Sequence, residues 1–292
     1  MRAGHSTPAG LLRAAARRTF GVARVHRLGR FLRRTRIRLG ARRVIFRGVR
    51  LDLDPGSANS ESVLAGRFER LLLDYVLPRV PVGGTCVDVG AHVGYWTVLL
   101  SAAVGPTGRV VAVEAHEPNV RRLRHNLALN GLANVDIVHA AAQASSGEAQ
   151  LRVSGTSSSW NSIVASGTYF QDSVRVVTVP AVALADLPLP GRIDLLKIDV
   201  EGAEDSVLAG AAGVLDRCSL LVLEIGGLRV TSEDYVASVT QRLFESFDEV
   251  HAVDKAADRL VPVNGADHLR SGWTDRLDVT KVIAVRRTGS AT

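Results

Sequence analysis

Short apolar runs alternate along this chain with longer stretches whose apolar residues recur every three or four positions. The first pattern marks buried strands, the second amphipathic helices. Val44–Asp54 alternates apolar and polar residues about Arg47-Gly48, which suits a small strand or hairpin. Leu64, Phe68, Leu71, Leu72 and Tyr75 predict one helix ending before Pro78. Thr85–Val89 reads as a first buried strand, followed by a glycine-bearing loop and a helix from Tyr95 to Val104. Arg109–Glu114 is a second strand. A helix follows with Pro118 in its first turn and Val120, Leu123 and Leu127 on its apolar face, stopped at Asn130-Gly131. Val135–Ala140 makes a third strand, then a polar, Ser/Gly-rich stretch runs to Val174. Ile193–Asp199 and Leu220–Ile225 are strands four and five, separated by a helix presenting Val207, Leu208, Ala211 and Leu215. A helix around Thr231–Phe247, a strand Glu249–Val253 and a last strand Val279–Arg286 complete the order.

Strands alternating with helices imply an α/β, doubly wound (Rossmann-like), mostly parallel sheet covered on both faces. Ligands on such sheets bind beyond the carboxyl ends of the strands. Asp88, Glu114, Asp199 and Glu224 all fall at such ends, and the insertion at about 154–173 is expected to cover that rim.

Charge divides the chain in two. The net charge is +7, yet residues 1–50 hold fifteen arginines and no acid. Without those fifteen, 21 basic residues face 29 acidic ones, so the body from Leu51 onward carries −8. The domain plan is therefore an arginine-rich arm, 1–50, and a main domain, 51–292. Residues 11–39 read either as a basic amphipathic helix able to lie on an anionic membrane or meet nucleic acid, or as a solvated helix packed over the body. Cys86 and Cys218, the two cysteines, sit beside core strands without metal-site spacing and are expected as buried free thiols. No apolar run approaches a membrane span of about 18–20 residues and no signal-peptide core is present, so a cytoplasmic location is expected.

The loop Asp88-Val-Gly-Ala-His-Val-Gly94 carries the first candidate chemistry. Gly90 lets the chain turn off the strand, while Ala91 and Gly94 let backbone approach a ligand. A carboxylate two residues before the first glycine repels a pyrophosphate but pairs with the ammonium of a methionine moiety. Glu114, at the end of the next strand, is placed to accept ribose hydroxyls. Together these features suit S-adenosylmethionine better than a nicotinamide dinucleotide.

On these residues the chain resembles the FkbM family of S-adenosylmethionine-dependent methyltransferases. The resemblance spans about 51–287 and rests on Asp88–Tyr95, Gly108–Glu114, Asn126–Leu132, Ala141–Gly147 and, most specifically, Asp194–Glu204 with its Lys-Ile-Asp-Val-Glu-Gly-Ala-Glu run. It implies a class I methyltransferase sheet with an antiparallel last strand, and transfer to a hydroxyl oxygen. By resemblance the cofactor residues are Asp88, Gly90, Ala91, Gly94, Glu114, Ala141, Gln143 and Asp199. The chain departs from the family pattern at His92, Ala115, Ala144 and Ala185; Ala144 stands where an acid is expected, and Gln143 is the substitute considered for the adenine contact.

Methyl transfer to an alcohol needs a group to take its proton, a contribution of about 10²–10⁴-fold. Asp199 is the first choice for that base, with Glu201 the second and Lys197 a companion that contacts substrate or neutralises carboxylates. Glu204 reads as helix surface or a helix cap rather than a catalytic group. Asp199 and Glu224 are hard oxygen donors on neighbouring strands, so a divalent ion such as Mg²⁺ is a minor alternative. His92 has no ligand-spaced partner, and His116, His139 and His251 read as packing or surface residues. Trp160 and Asn161 in the serine-rich insertion, with Glu224, are the candidate acceptor contacts, and Tyr169 and Phe170 would extend that surface. The expected acceptor is a sugar, glycolipid or polyketide hydroxyl. The alternatives are RNA methylation through the arginine arm or a non-catalytic ligand-binding domain. The acidic body and the absence of an amine-binding Asn-Pro-Pro-Tyr loop after strand four speak against nucleic acid.

Overall fold

The computed structural model describes residues 42–55, 57–155, 157–163, 173–225, 233–254, 257–265, 268–269 and 280–287. The arm segment 11–39, Tyr169 and Phe170 lie outside the described residues.

Strands β1 (Arg43–Phe46) and β2 (Val49–Asp52) form the expected hairpin. Its two-residue turn puts Arg47 at φ 49° and Gly48 at φ 87°, the left-handed pair that matches strand twist. The single helix expected next is two. Helix α1 (Ala58–Leu64) is capped by the Ser57 hydroxyl, and α2 (Arg70–Val76) begins after a break. Gly66 at φ 67° donates its N–H to Val63 O and ends α1, and Glu69 re-enters at φ 40°. The helical spacing across the break survives because Phe68 still packs inward, edge-on to Tyr95 at 5.7 Å.

The main sheet uses β3 (Thr85–Val89), β4 (Arg109–Val113), β5 (Val135–Val138), β10 (Leu195–Ile198), β11 (Leu220–Ile225), β12 (Glu249–Asp254), β13 (Arg259–Pro262) and β14 (Thr280–Val285), the strands between β5 and β10 building a second sheet. The main order is β13-β12-β14-β11-β10-β3-β4-β5. Parallel pairing joins β11, β10, β3, β4 and β5, whereas β14 runs antiparallel between β11 and β12. This is the class I methyltransferase sheet, with the antiparallel strand inserted beside the fifth parallel one and an extra edge strand, β13.

Alternation along the strands sorts the core into two layers. Val87, Leu196 and Leu221 face α5 (Glu204–Ala209) and α6 (Glu233–Ser246). Cys86, Leu195 and Val222 face the hairpin, α2, and helices α3 (Tyr95–Val104) and α4 (Glu117–Leu129). A fully buried leucine contributes about 1.5–3 kcal/mol, so this register is firmly held. It also puts Asp88, Lys197 and Glu224 on the second face, because each is an even number of residues from Cys86, Leu195 or Val222.

The stretch read as a polar insertion is instead largely a sheet. Strands β6 (Ala141–Ala142), β7 (Gly147–Ser154), β8 (Ser162–Ile163) and β9 (Ser173–Val182) pair in the order β6-β9-β7-β8. Leu151 and Val179 are buried on one side while Glu148, Gln150 and Thr178 alternate with them, and that half-polar composition hid the strands.

Candidate active site

Beyond the carboxyl ends of β3, β4 and β10 lies a cavity open to solvent on one side, where ligands of such sheets bind. Its floor comes from the strand ends of the main sheet (Gly90, Glu114, Asp199, Val200, Glu201) and its roof from the second sheet (Leu151, Ile163) and the turn between β7 and β8 (Ser158, Asn161). Asn59, His92, Asn119 and Ala140–Ala142 close the sides.

Gly90 turns the chain off β3 at φ 74°, and a Cβ there would stand 1.8 Å from the Asp199 carbonyl oxygen. Only glycine allows the Asp88–Gly94 loop and the β10 exit to lie this close. Gly94 serves packing instead: at φ 89° it admits the Leu123 side chain, which a Cβ would meet at 2.3 Å.

Glu114 is oriented by three N–H donors. The His92 backbone donates to Oε2 at 2.8 Å, the His116 backbone to Oε1 at 2.8 Å, and Asn119 Nδ2 to Oε1 at 3.1 Å. Burial pushes its carboxyl above the usual range, and those donors pull it back. Oε1 accepts two of these bonds and Oε2 one, so Oε2 keeps a lone pair for a hydroxyl in the cavity.

Asp88 does not line the cavity. It is fully buried beneath the loop, accepting from Thr97 Oγ1 at 2.7 Å and standing 3.1 Å from Lys197 Nζ. The expected pairing with a ligand ammonium is replaced by this internal ion pair, because strand alternation turns Asp88 towards α3. Lys197 is likewise beneath the wall, bonded to Gly90 O at 3.3 Å and 3.6 Å from Asp199 Oδ2. Burial alone would depress the Lys197 ammonium, but Asp88 and Asp199 outweigh it and hold it raised. Lys197 thus ties Asp88, the Gly90 turn and Asp199 together.

Asp199 and Glu201 both face the cavity. Glu201 sits at φ 55°, and burial, then the charges of Asp199, Glu224 and Glu204, push its carboxyl well up. Glu204 lies behind, 1% exposed; it accepts from Gly202 N–H at 2.8 Å and from the Tyr235 hydroxyl. Burial raises it to about 7.

Asn161 lines the roof, its Oδ1 accepting from Ser154 N–H while Nδ2 is buried with no partner among the described residues. Trp160, Glu224 and Gln143 do not reach the cavity lining. The Gln143 amide turns to Ser206, accepting at 3.2 Å, which removes it as the substitute adenine contact. Ala91 is buried in the loop; Ala141 lines the cavity as expected.

Sequence spacing gives His92 no partner, but the fold does. Its Nε2 stands 3.0 Å from Ser158 Oγ, whose hydroxyl donates to Asp54, and Arg122 lies 3.6 Å from Asp54. Burial drives the His92 imidazole down to about 4 against the opposing charge of Asp54. These contacts join the hairpin exit, the loop after β3 and the roof, three segments whose proximity no sequence spacing reveals.

A second group of carboxylates adjoins Asp199. Glu69, Asp199 and Glu224 each offer an oxygen within 4.8 Å of the others. Glu224 pairs in register with Lys281 across β11 and β14, and Lys281 Nζ bonds Glu224 and, at 2.8 Å, Glu69. The donor set has the hardness for Mg²⁺, but an ammonium already stands among its oxygens, so the residues present do not fit a divalent ion. Lys281 is one of three lysines in the chain, a rarity that could have singled it out.

A family model described as the methyltransferase FkbM domain matches residues 88–258, more than half of the chain. The chain belongs to the FkbM methyltransferase family. Among curated proteins, an Arabidopsis thaliana 25S rRNA (cytosine-C(5))-methyltransferase, NSUN5, is 29% identical over 97 residues, 30% of this chain. That stretch spans 17% of the relative's length. Among solved structures, methyltransferase FkbM from Methylobacillus flagellatus KT aligns with TM-score 0.41 and 13% identity over 77% of this chain and 54% of its own. A putative rRNA-methylase from Clostridium thermocellum gives 0.45 and 12% over 74% and 94%. The O-methyltransferase TomG from Streptomyces achromogenes gives 0.40 and 16% over 81% and 84%. These superpositions are partial, and the class of fold rests on the strand order. Among the described residues of this family member, no helix is long and apolar enough to cross a membrane.

Proposed function

We propose that this FkbM-family chain is an S-adenosylmethionine-dependent methyltransferase acting on a hydroxyl of a small molecule such as a sugar, glycolipid or polyketide. The observation that carries this reading is the shared enclosure of Glu114 and Asp199. One is a donor-clamped carboxylate suited to a nucleoside sugar, the other a carboxylate positioned by Lys197 in the same cavity wall. The unpaired Asn161 Nδ2 and the Gly90 cradle agree with a polar ligand approaching the loop. When bound, S-adenosylmethionine supplies an activated methyl group on a sulfonium. The chain's own part is to hold the sugar at Glu114, exclude water under the serine-rich roof, and take the acceptor proton at Asp199. Glu201, which keeps its proton further up the pH scale, donates a hydrogen bond to the acceptor oxygen.

Asp199→Asn tests the reading. Transfer of labelled methyl to a panel of glycosides and polyketide alcohols is expected to fall by about 10²-fold or more, with affinity for S-adenosylhomocysteine within a few-fold of wild type. Turnover near the wild-type rate would remove Asp199 from the chemistry.

RNA methylation is the second reading, supported by the local match to the 25S rRNA methyltransferase and by the arginine-rich arm. Methylation at a pyrimidine ring carbon calls for a nucleophile that adds to the ring. Cys86 and Cys218 are both buried away from the cavity, and burial pushes the Cys218 thiol up to about 12 and the Cys86 thiol higher still. Neither supplies a thiolate, which favours oxygen over ring carbon as the methyl acceptor. Deleting residues 1–41 separates the readings: small-molecule transfer persists under the first, whereas loss of transfer together with RNA binding promotes the second.

A further inference from the structure

The misfit between the carboxylate cluster and a metal ion has a constructive side. We infer that Lys281 is the resident cation of the Glu69–Asp199–Glu224 cluster, a positioning residue that supplies through a side chain the charge a divalent ion would otherwise bring beside Asp199. The inference deepens the methyltransferase reading by specifying how its proposed base is kept competent.

The geometry is built from four separate elements. Glu69 comes from the left-handed residue that opens α2 and is fixed by Trp96 Nε1–H, which donates to its Oε2 at 2.7 Å. Asp199 leaves β10, Glu224 ends β11, and Lys281 lies directly across from Glu224 on the antiparallel β14. Sheet register, not a loop, therefore sets the ammonium among the carboxylates. Three carboxylates whose oxygens approach within 4.8 Å repel one another unless a cation stands between them. An ammonium carries three N–H donors; Glu69 and Glu224 take two.

The other charged groups around the cluster do not replace it. Lys197 is engaged by Asp88 on the far side of Asp199. Glu201 and Glu204 add negative charge, and Glu224 is already pushed up to about 7 by burial and Asp199 despite its lysine. Burial would depress Lys281 itself, but Glu224, Glu69 and Asp199 hold its proton in place. Without Lys281, Asp199 would face Glu69, Glu201 and Glu224 with Lys197 as the offsetting cation among the described residues.

The test compares Lys281→Met with Lys281→Arg, each verified as folded by circular dichroism. Manganese(II) binding is followed by electron paramagnetic resonance without cofactor or acceptor, so its outcome is independent of whether the protein transfers methyl groups. The wild type and Lys281→Arg are expected to bind no manganese at millimolar concentration, while Lys281→Met binds it about tenfold tighter or more. The acidic limb of the methyl-transfer rate is expected to move up by about one pH unit in Lys281→Met only, and to return with saturating Mg²⁺. Micromolar manganese binding by the wild type would overturn the inference, and that measurement requires no variant to fold. A Lys281→Met protein that binds no manganese and keeps the wild-type pH limb would overturn it equally. Manganese binding as expected with no transfer in any protein would leave the resident cation standing and refute the enzymatic reading instead.

Discussion

Replacing Gly90 with alanine separates two costs that usually travel together. The residue has φ 74°, and the added Cβ would lie 1.8 Å from a backbone oxygen, Asp199 O. Gly131 supplies the control, with φ 64° and nothing within 4 Å of the place an added methyl would occupy. Left-handed backbone costs an alanine about 1–2 kcal/mol, and that is all Gly131→Ala is expected to lose. At Gly90 a forced shift of packed backbone adds about 1–3 kcal/mol, for about 2–5 kcal/mol in total. The shift also displaces either the cofactor loop, whose Gly90 and Ala91 N–H groups both donate to Val113 O, or the exit of β10 that carries Asp199. Urea denaturation reads the stability difference, and calorimetry with S-adenosylhomocysteine reads the site. A loss of about tenfold in affinity corresponds to about 1.4 kcal/mol. Equal destabilisation of the two variants, together with wild-type affinity in Gly90→Ala, would show that loop and β10 exit are not in contact as described.

Three further outcomes can be checked. Glu114→Gln must aim its NH₂ at one of the backbone N–H groups now bonded to the carboxylate, so a stability loss of about 1–3 kcal/mol is expected alongside weakened cofactor binding; unchanged melting would mean those donors are not committed to Glu114. Glu204 is raised to about 7, so its contribution to stability is complete below its unfolded value and is lost as pH rises through about 7. Tyr235→Phe removes a donor to the ionised form, so the stability gap between about pH 5.5 and pH 8 should widen; an unaltered gap in urea melts would exclude Glu204 as the titrating group. Cys86 and Cys218 are buried, so a thiol reagent should label both only as the protein unfolds, and labelling of the native protein without loss of structure would contradict their placement.

Much of the fold is legible in the chain because glycines and apolar runs punctuate it. Leu220–Ile225 and Tyr95–Val104 match the sequence expectation residue for residue, the first an uninterrupted apolar run and the second bracketed by Gly94 and Gly105. Glu114, Asp199, Glu201 and Gly90 reach the cavity because strand ends and the turns after them project beyond the sheet. Asp88 misleads for the same reason in reverse: one residue short of the strand end, its side chain is governed by alternation and points under the loop. Lys281 and Glu69 are invisible to spacing, since cross-strand pairing and a helix entry bring them together across 212 positions. The second sheet is missed because one of its faces is polar, which reads as loop until its partner strand is known.

That second sheet has a bearing on how this family member could be re-tuned. Every roof residue of the cavity comes from one contiguous segment, 141–182, entered and left next to the main sheet, with β6 paired to the end of β9. Floor and roof are therefore separable inheritances. Exchanging that single stretch between relatives would replace the whole roof and one side wall of the cavity while leaving Gly90, Glu114, Asp199 and Glu201 on the floor in place.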